Sequence, residues 1–539
     1  MLAPTHLPAD RAARHEAAGE WPGESFSSLL DARAIHAADR VYCIAGSRAG
    51  DRTYTFADLK RRADRMAVAL AALGVRPGDV VSYQLPNWFE AVALACAVDR
   101  VGAVQNPIIT IYRDREVGFA CRQARARVLV VPGVVRGFDH RELARTVQRE
   151  AADLEHVLTL RADPLPGQRT LESLEDEPRA PLGPSPLGPH DVSFVLYTSG
   201  TTADPKGVLH TASTLGGLNW AQRAIFGVSG DERSLLQFPL MHMGGMAMFV
   251  RALLHNGTST VFMDAFDPEL AIELIERWQV TSAGGPPAIL QAMLAAPTFA
   301  TEKLRSVRAS GSGAADVSPD LIRSVSERFA CLAYRSYGMT ECPMATSARP
   351  GDSEEKCFET DGRPSPGCTV RAVDDAGRPV AAGVEGELEL YGPQVCVGYL
   401  DPALNVAFTH DGFVRSGDLG VIDAEGFVRI TGRRKDVIIR KGENLSAKSI
   451  EDDLAAHPKV VEVAVVGVPD RESGERVCAC VVLRPDAGGL TLPEVRDFMR
   501  ARGVMMQKIP EQLELMPELP RNATGKVRKD VLRARLRSG

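Results

Sequence analysis

A chain of 539 residues with 45% hydrophobic side chains is long enough for a large body with its own core and at least one smaller module. Its 63 Lys and Arg against 69 Asp and Glu give a formal net charge of -6, with both signs mixed along the chain, which excludes the concentrated basic footprint of a nucleic-acid binder. No apolar run has membrane-spanning length, residues 1–20 lack a secretory signal core, and the ten cysteines are scattered without CxxC, so a cytoplasmic protein with free thiols, no zinc site and no membrane span is expected.

In chain order, apolar residues at helical spacing predict a helix over 55–73 that stops at Gly74. A strand over 80–85, a helix over 88–98 and a strand over 128–131 follow, an alternation that favours layered α/β architecture. Residues 163–190 are rich in Pro, Gly and acids and read as a surface connection rather than an element. Residues 192–197 are almost continuously apolar, as in a strand buried on both faces. Past a charged junction at 432–436, Ser446 caps a helix through 456, strands are expected over 460–468 and 477–483, and Thr491 with Glu494 has capping-box spacing. About the last hundred residues therefore read as a small α+β domain.

The strand over 192–197 opens into Thr198-Ser199-Gly200-Thr201-Thr202-Ala203-Asp204-Pro205-Lys206-Gly207. Hydroxyls, glycine-freed amides and one ammonium suit a polyphosphate, although the GK[ST] ending of a Walker loop is missing. Taken alone, such a stretch is also compatible with a surface turn. Tyr337-Gly338-Met339-Thr340-Glu341 by itself is an ordinary strand end. Asp418, in Arg415-Ser416-Gly417-Asp418, is suited to accept from both ribose hydroxyls and Arg433 to neutralise phosphate, while Asp418 beside glycine also reads as a turn-former. Lys526, in Asn522-Ala523-Thr524-Gly525-Lys526, would alone be a solvated charge.

Taken together and in this order, YTSGTT…PKG, YGMTE, SGD, GRRKD…KGEN and NATGK resemble the adenylate-forming superfamily of AMP-forming acyl-CoA synthetases, luciferases and peptide-synthetase adenylation domains. The resemblance implies an α/β fold, with an AMP- and acyl-binding domain over 1–432 and a small mobile α+β domain over 433–539, hinged at Lys435. It implies that Thr198, Ser199, Gly200, Thr201, Thr202 and Lys206 close over the phosphates of ATP. Gly311, Ser312, Gly313 and Ala314 would line the adenine site beside Gly338, and Tyr337 would stack on the base. Thr340 would touch the α-phosphate, Glu341 would hold Mg²⁺, and Asp418 and Arg433 would contact the nucleotide. Lys526 would bridge carboxylate and α-phosphate, and Lys441 and Gly442 would reach the pantetheine tunnel of coenzyme A after the small domain rotates.

By the same resemblance His242 would stand beside the acyl and thiol sites, although a lone histidine in an apolar segment is more often packed core. Met241, Met243, Met246, Met248 and Phe249 fit either an acyl pocket or adaptable core packing, and the turn 284–287 would lie near the same pocket. The chain departs from the family pattern at Ala203 (usually glycine), Ser416 (usually Thr), and Ala447 and Ser449 (commonly Pro and Glu). The implied activity is ligation of a small fatty, alicyclic or polycyclic carboxylic acid to CoA through an acyl-adenylate. The alternatives are one half-reaction alone, loading of a carrier protein, or a catalytically silent nucleotide-binding regulator.

Overall fold

The computed structural model describes residues 2–176, 180–198, 205–227, 230–440, 443–470, 473–485, 487–522 and 525–537, with only the backbone at 247, 253 and 444. The helix Phe56–Ala72 begins at a reciprocal capping box, in which the Asp58 amide donates to the Thr55 hydroxyl and the Thr55 amide to the Asp58 carboxylate. Its buried stripe of Phe56, Leu59, Ala63, Met66, Ala67 and Leu70 packs on Phe89–Arg100, a helix buried everywhere except at Glu90.

Among the described residues, seven strands pair in the order Gly207–Thr211, Val192–Tyr197, Val104–Pro107, Val80–Tyr83, Ala126–Val131, His156–Thr159 and Arg169–Thr170. Neighbours run parallel except the first two, which form an antiparallel hairpin around the hydroxyl-rich loop. The segment 163–190 corrects the expectation of a bare surface connection. It contributes the edge strand Arg169–Thr170 and the short helix Leu171–Glu175. Leu171 and Leu174, one turn apart, are buried, and Thr170 caps the helix by accepting from the Ser173 amide. The Pro and Gly content of the flanks hid that apolar pair.

In a second sheet Val41–Ala45 and Arg233–Leu236 flank Ser259–Phe262 in parallel. Single-residue bridges from Ser234 to Ser282 and from Ser282 to Ala309 carry it on to Ala309–Ser312 and Leu332–Met339. Then follows an antiparallel meander of Thr369–Val373, Glu385–Tyr391, Val414–Ile422 and Val428–Arg433. Beyond it, Val437–Arg440, Glu443–Ser446, Val460–Asp470, Gly474–Leu483 and Gln512–Leu515 make a separate sheet, covered by the helices Ala447–Ala455, Leu492–Ala501 and Lys529–Arg537. The two buried apolar clusters of this region draw on residues from 438 onward, while the clusters of the body end at Ile430. The fold is thus a large layered α/β body followed by a small α+β unit.

One buried ion pair ties the meander to the second sheet. Arg335, on Leu332–Met339, reaches Asp361 Oδ1 through Nη2 at 2.9 Å, and Asp361 Oδ2 accepts from the Ile430 amide at 2.9 Å. The strands bearing Tyr337 and Arg433 therefore share one carboxylate. Removing one partner of such a pair leaves an uncompensated buried charge, at a cost of about 3–5 kcal/mol. Asp361→Ala is expected to lower the unfolding free energy of the body by that order, read from the urea midpoint with the m-value unchanged.

Candidate functional site

The loop's stems are held by the hairpin. Tyr197 pairs with Gly207, and the Thr198 amide donates to the Lys206 carbonyl at 3.0 Å. Lys206 places its ammonium 5.6 Å from the ring of the buried Tyr399. Ser199, Gly200, Thr201, Thr202 and Ala203 lie outside the described residues, as do Lys441 and Gly442.

Asp418 sits inside the strand Val414–Ile422 rather than in a turn, and is 4% exposed. Its Oδ1 meets Arg433 Nε at 2.7 Å from the neighbouring strand, and its Oδ2 accepts from the Tyr337 hydroxyl at 2.7 Å. Each oxygen keeps a second lone pair, so the carboxylate can still accept from a diol. Ser416 keeps the hydroxyl that matters locally: its Oγ accepts from the Asp418 amide at 3.0 Å and donates to the Leu388 carbonyl at 2.7 Å.

Glu341 follows the strand that carries Tyr337. Its Oε1 accepts from the Tyr399 hydroxyl at 2.8 Å, and its carbonyl accepts from the Cys396 amide at 2.8 Å. Burial pushes the Glu341 carboxyl above its ordinary range, and the Lys206 charge opposes that shift. No cation lies within ion-pair distance of it among the described residues. A buried carboxylate so placed suits a hard divalent cation that takes its other ligands from phosphate and water. Thr340 is held by its backbone, where the buried His210 Nε2 donates to its carbonyl at 2.8 Å.

A cleft of about 1110 Å³ lies between body and small unit. Ala314, Tyr337, Gly338, Asp418, Arg433, Lys435 and Lys526 line it, with Trp88, Ile109, Phe238, Pro239, Met241 and Ile289 on an apolar side. Lys526 enters from a turn in which its amide donates to Asn522 Oδ1 at 2.9 Å and its carbonyl accepts from the Asn522 amide at 2.8 Å. Burial and the neighbouring Arg433 charge push its ammonium down to about 8, while Asp418 and Glu341 oppose the shift.

Gly311, Ser312 and Gly313 are not on the lining but behind it. Ser312 Oγ donates to the Gly285 carbonyl at 2.9 Å, and a Cβ on Gly284 would meet the Gly311 carbonyl oxygen at 2.3 Å, so the backbones touch. A Cβ on Gly338 would meet the Met344 amide nitrogen at 2.4 Å. Ala314 holds φ at +64°, a left-handed conformation that an L-residue keeps only where its surroundings impose it.

His242 lies in a narrow crevice with Thr340, Tyr197, Met241 and Met243 instead of on the main cleft. Its Nδ1 accepts from the Gly244 amide at 3.3 Å, which leaves the proton on Nε2. Of the methionines, Met241 lines the cleft, Met243 and Met246 are core, and Met248 packs against the Leu218–Ile225 cluster. Core packing is therefore the main role of that stretch. It is wound as a π-helix, Met243–Val250, which ends at the fully buried Arg251. A Cβ on Gly245 would strike the Leu240 carbonyl oxygen at 2.5 Å.

Residues 30–400 match the family model described as AMP-binding enzyme, and residues 449–526 match the AMP-binding enzyme C-terminal domain. The chain belongs to the AMP-binding enzyme family. It is an AMP-forming acid–thiol ligase. This AMP-binding enzyme is 35% identical to the 2-hydroxy-7-methoxy-5-methyl-1-naphthoate–CoA ligase of Streptomyces carzinostaticus, over 98% of this chain and 96% of that one. It is 34% identical to the salicyl-AMP ligase / salicyl-S-ArCP synthetase of Mycobacterium tuberculosis, over 97% and 93%. Among solved structures, ATP-bound MatB from Rhodopseudomonas palustris superposes with a TM-score of 0.85 at 30% identity, covering 95% of this chain and 99% of that one.

Two supports of this AMP-binding enzyme's site had no signal in the sequence motifs. His210 and Tyr399 lie in apolar runs and are recognised only from the partners they reach, Thr340 and Glu341. His210, the third residue after the Pro-Lys-Gly stem's glycine, was the more findable, being a polar residue in a strand buried throughout.

Burial pushes both His210 and His242 down to about 4 from an ordinary 6.5, with a smaller contribution from Lys526 at His242. Between those values the unfolded chain binds protons that the folded chain refuses, so stability rises with pH across that window and is fully present above it. Each histidine contributes about 3 kcal/mol that is lost as pH falls from 6.5 towards 4. Urea unfolding at pH 7, 5.5 and 4.5 is expected to show this slope, and His210→Gln to remove roughly half of it.

Proposed function

We propose that this chain converts a hydrophobic carboxylic acid (fatty, alicyclic or polycyclic) to its CoA thioester through an acyl-adenylate, releasing pyrophosphate and then AMP. The observation that carries the reading is Lys526. A lysine of the small unit stands in the cleft between that unit and the body, within the electrostatic reach of Arg433, Asp418 and Glu341. The apolar side of that cleft supports a hydrophobic acid, and the naphthoate ligase among the relatives supports one with fused rings.

In this reading Asp418 accepts from the ribose hydroxyls, Tyr337 packs on the base, and Ala314 and Gly338 border it. The loop stems Thr198 and Lys206 hold the phosphates. Glu341, a buried carboxylate without a cation partner among the described residues, would hold Mg²⁺, which when bound supplies charge neutralisation at the phosphates. A carboxylate oxygen of the acid attacks the α-phosphorus in line, the bond to pyrophosphate breaks, and the Lys526 ammonium offsets the charge on both reacting groups. The CoA thiolate then attacks the acyl carbon and AMP leaves. In this reading the neutral His242, with its proton on Nε2, serves the acyl and thiol sites from the crevice it shares with Thr340 and Met241.

The two reactions need different faces of the small unit, and the junction has the anchors for a pivot. Arg434 pairs with Glu387 and Asp375 of the body at 2.6 and 3.1 Å, whereas Asp436 pairs with Arg533 of the last helix at 2.6 Å. In this reading Lys435 between them is the hinge, since Arg433 and Arg434 stay with the body and Asp436 with the small unit. Kinship with the salicyl-S-ArCP synthetase favours a second reading, in which the accepting thiol belongs to a carrier protein.

Acid-dependent exchange of pyrophosphate into ATP tests the first step, and AMP release on adding CoA the second. Lys526→Ala is expected to reduce exchange about 10²–10³-fold, while thioesterification of supplied acyl-adenylate stays within a few fold. Equal loss of both would refute the role. Because the ammonium is required and its pKa is about 8, kcat/KM for ATP should fall as pH rises above 8, and Lys526→Arg should abolish that limb.

A further inference from the structure

Residues 392–399 lie between two sets of partners. On one side they support the site. The Cys396 amide and the Tyr399 hydroxyl hold Glu341, each at 2.8 Å. The Val397 amide donates to Leu209, the Leu209 amide to Gly398 at 2.9 Å, and the Leu400 amide to Gly207 at 2.8 Å, which fixes the exit stem of the phosphate loop.

On the other side the same segment is gripped by residues 5–21. The Thr5 and His6 amides donate to the Val397 carbonyl at 3.0 and 2.9 Å, and Thr5 Oγ1 to the Tyr399 carbonyl at 2.8 Å. Trp21 Nε1 donates to the Pro393 carbonyl at 2.8 Å. Arg11 takes the carbonyls between: Nη1 donates to Cys396 at 3.0 Å, and Nη2 to Gly392 at 3.4 Å and to Val395.

Arg11 is 3% exposed, and among the described residues its hydrogen-bond partners are carbonyl oxygens and its guanidinium lies 5.6 Å from the Trp21 ring, with no carboxylate in ion-pair distance. Burial lowers its pKa accordingly. A buried cation without a carboxylate partner is a poor means of stabilising a fold, since an apolar side chain would pack there without the desolvation cost. What a guanidinium offers is a rigid fork of donors that fixes several carbonyls at once.

We propose that Arg11 is a positioning residue for the ATP-dependent step, holding Glu341 and the phosphate-loop stem in place through residues 392–399. The inference rests on the reading of Glu341 as the contact to magnesium-bound ATP. Arg11→Met keeps the length of the side chain and removes the donors. In the full-length protein it is expected to weaken calorimetrically measured binding of Mg·ATP by about tenfold, and to raise the Mg²⁺ concentration for half-maximal exchange by a similar factor. Amide hydrogen exchange in residues 392–400 should accelerate, and thioesterification of supplied acyl-adenylate should stay within twofold.

A folded Arg11→Met protein with unchanged Mg·ATP affinity and unchanged protection in that segment overturns the proposal. So does a proportional loss of both half-reactions at constant Mg²⁺ dependence, which a merely structural role would give. Should Arg11→Met not fold, Trp21→Phe removes the bond to Pro393 while keeping an aromatic ring beside the Arg11 guanidinium. It is then expected to shift Mg·ATP affinity two- to threefold in the same direction, and no shift refutes the proposal. A wild-type protein that binds no Mg·ATP instead removes the reading of Glu341 itself.

Discussion

Asp418 is the carboxylate on which the cleft's strand-built side depends. One oxygen meets a guanidinium from the adjacent strand of the meander and the other a phenol from a different sheet. Taking a carboxylate out of water costs several kcal/mol, recovered only when the hydrogen bonds around it are met with good geometry. That requirement makes the relative placement of Leu332–Met339, Val414–Ile422 and Val428–Arg433 a condition of folding. Asp361 imposes a second condition on two of the same strands, joining Arg335 to the Ile430 amide. The site is therefore assembled by the same contacts that join the layers.

The charges around the cleft are arranged to be uncomfortable alone. Lys526 is depressed by burial and by Arg433, and Glu341 is raised by burial. A polyanion with a divalent cation relieves both: phosphate oxygens favour the ammonium, and the cation favours the carboxylate. Perturbed groups of opposite sign, Lys526 on the cleft and Glu341 buried within its electrostatic reach, are the electrostatic mark of a functional site.

Much of this organisation was legible in the sequence because it is local. Thr491 with Glu494 and Ser446 cap helices where expected, the helix over 55–73 is present, and the apolar run over 192–197 is the strand that leads into the hydroxyl-rich loop. Asp418, Arg433, Tyr337 and Lys526 were recognisable through their motifs, yet nothing in spacing alone says that they converge. What escaped was either short or long-range. The helix Leu171–Glu175 was masked by its flanks, and the π-helix Met243–Val250 has no periodic signature distinct from an apolar α-helix. The partners of Tyr399, His210 and Arg11 lie far away in sequence, so their roles exist only once the chain is folded.

The backbone contact of Gly284 with Gly311 bears on how such a protein can change. Where main chain touches main chain, no side chain larger than hydrogen fits, and the surface in front of it is set by strand geometry and not by residue choice. The same holds at Gly338, which borders the cleft directly. Variation in the shape of the cleft must then arise at lining side chains such as Phe238, Met241 and Ile289, which exchange size and shape without moving a strand. The backbone part of the cleft is a constant of the architecture, and its side chains are where a lineage can explore new shapes.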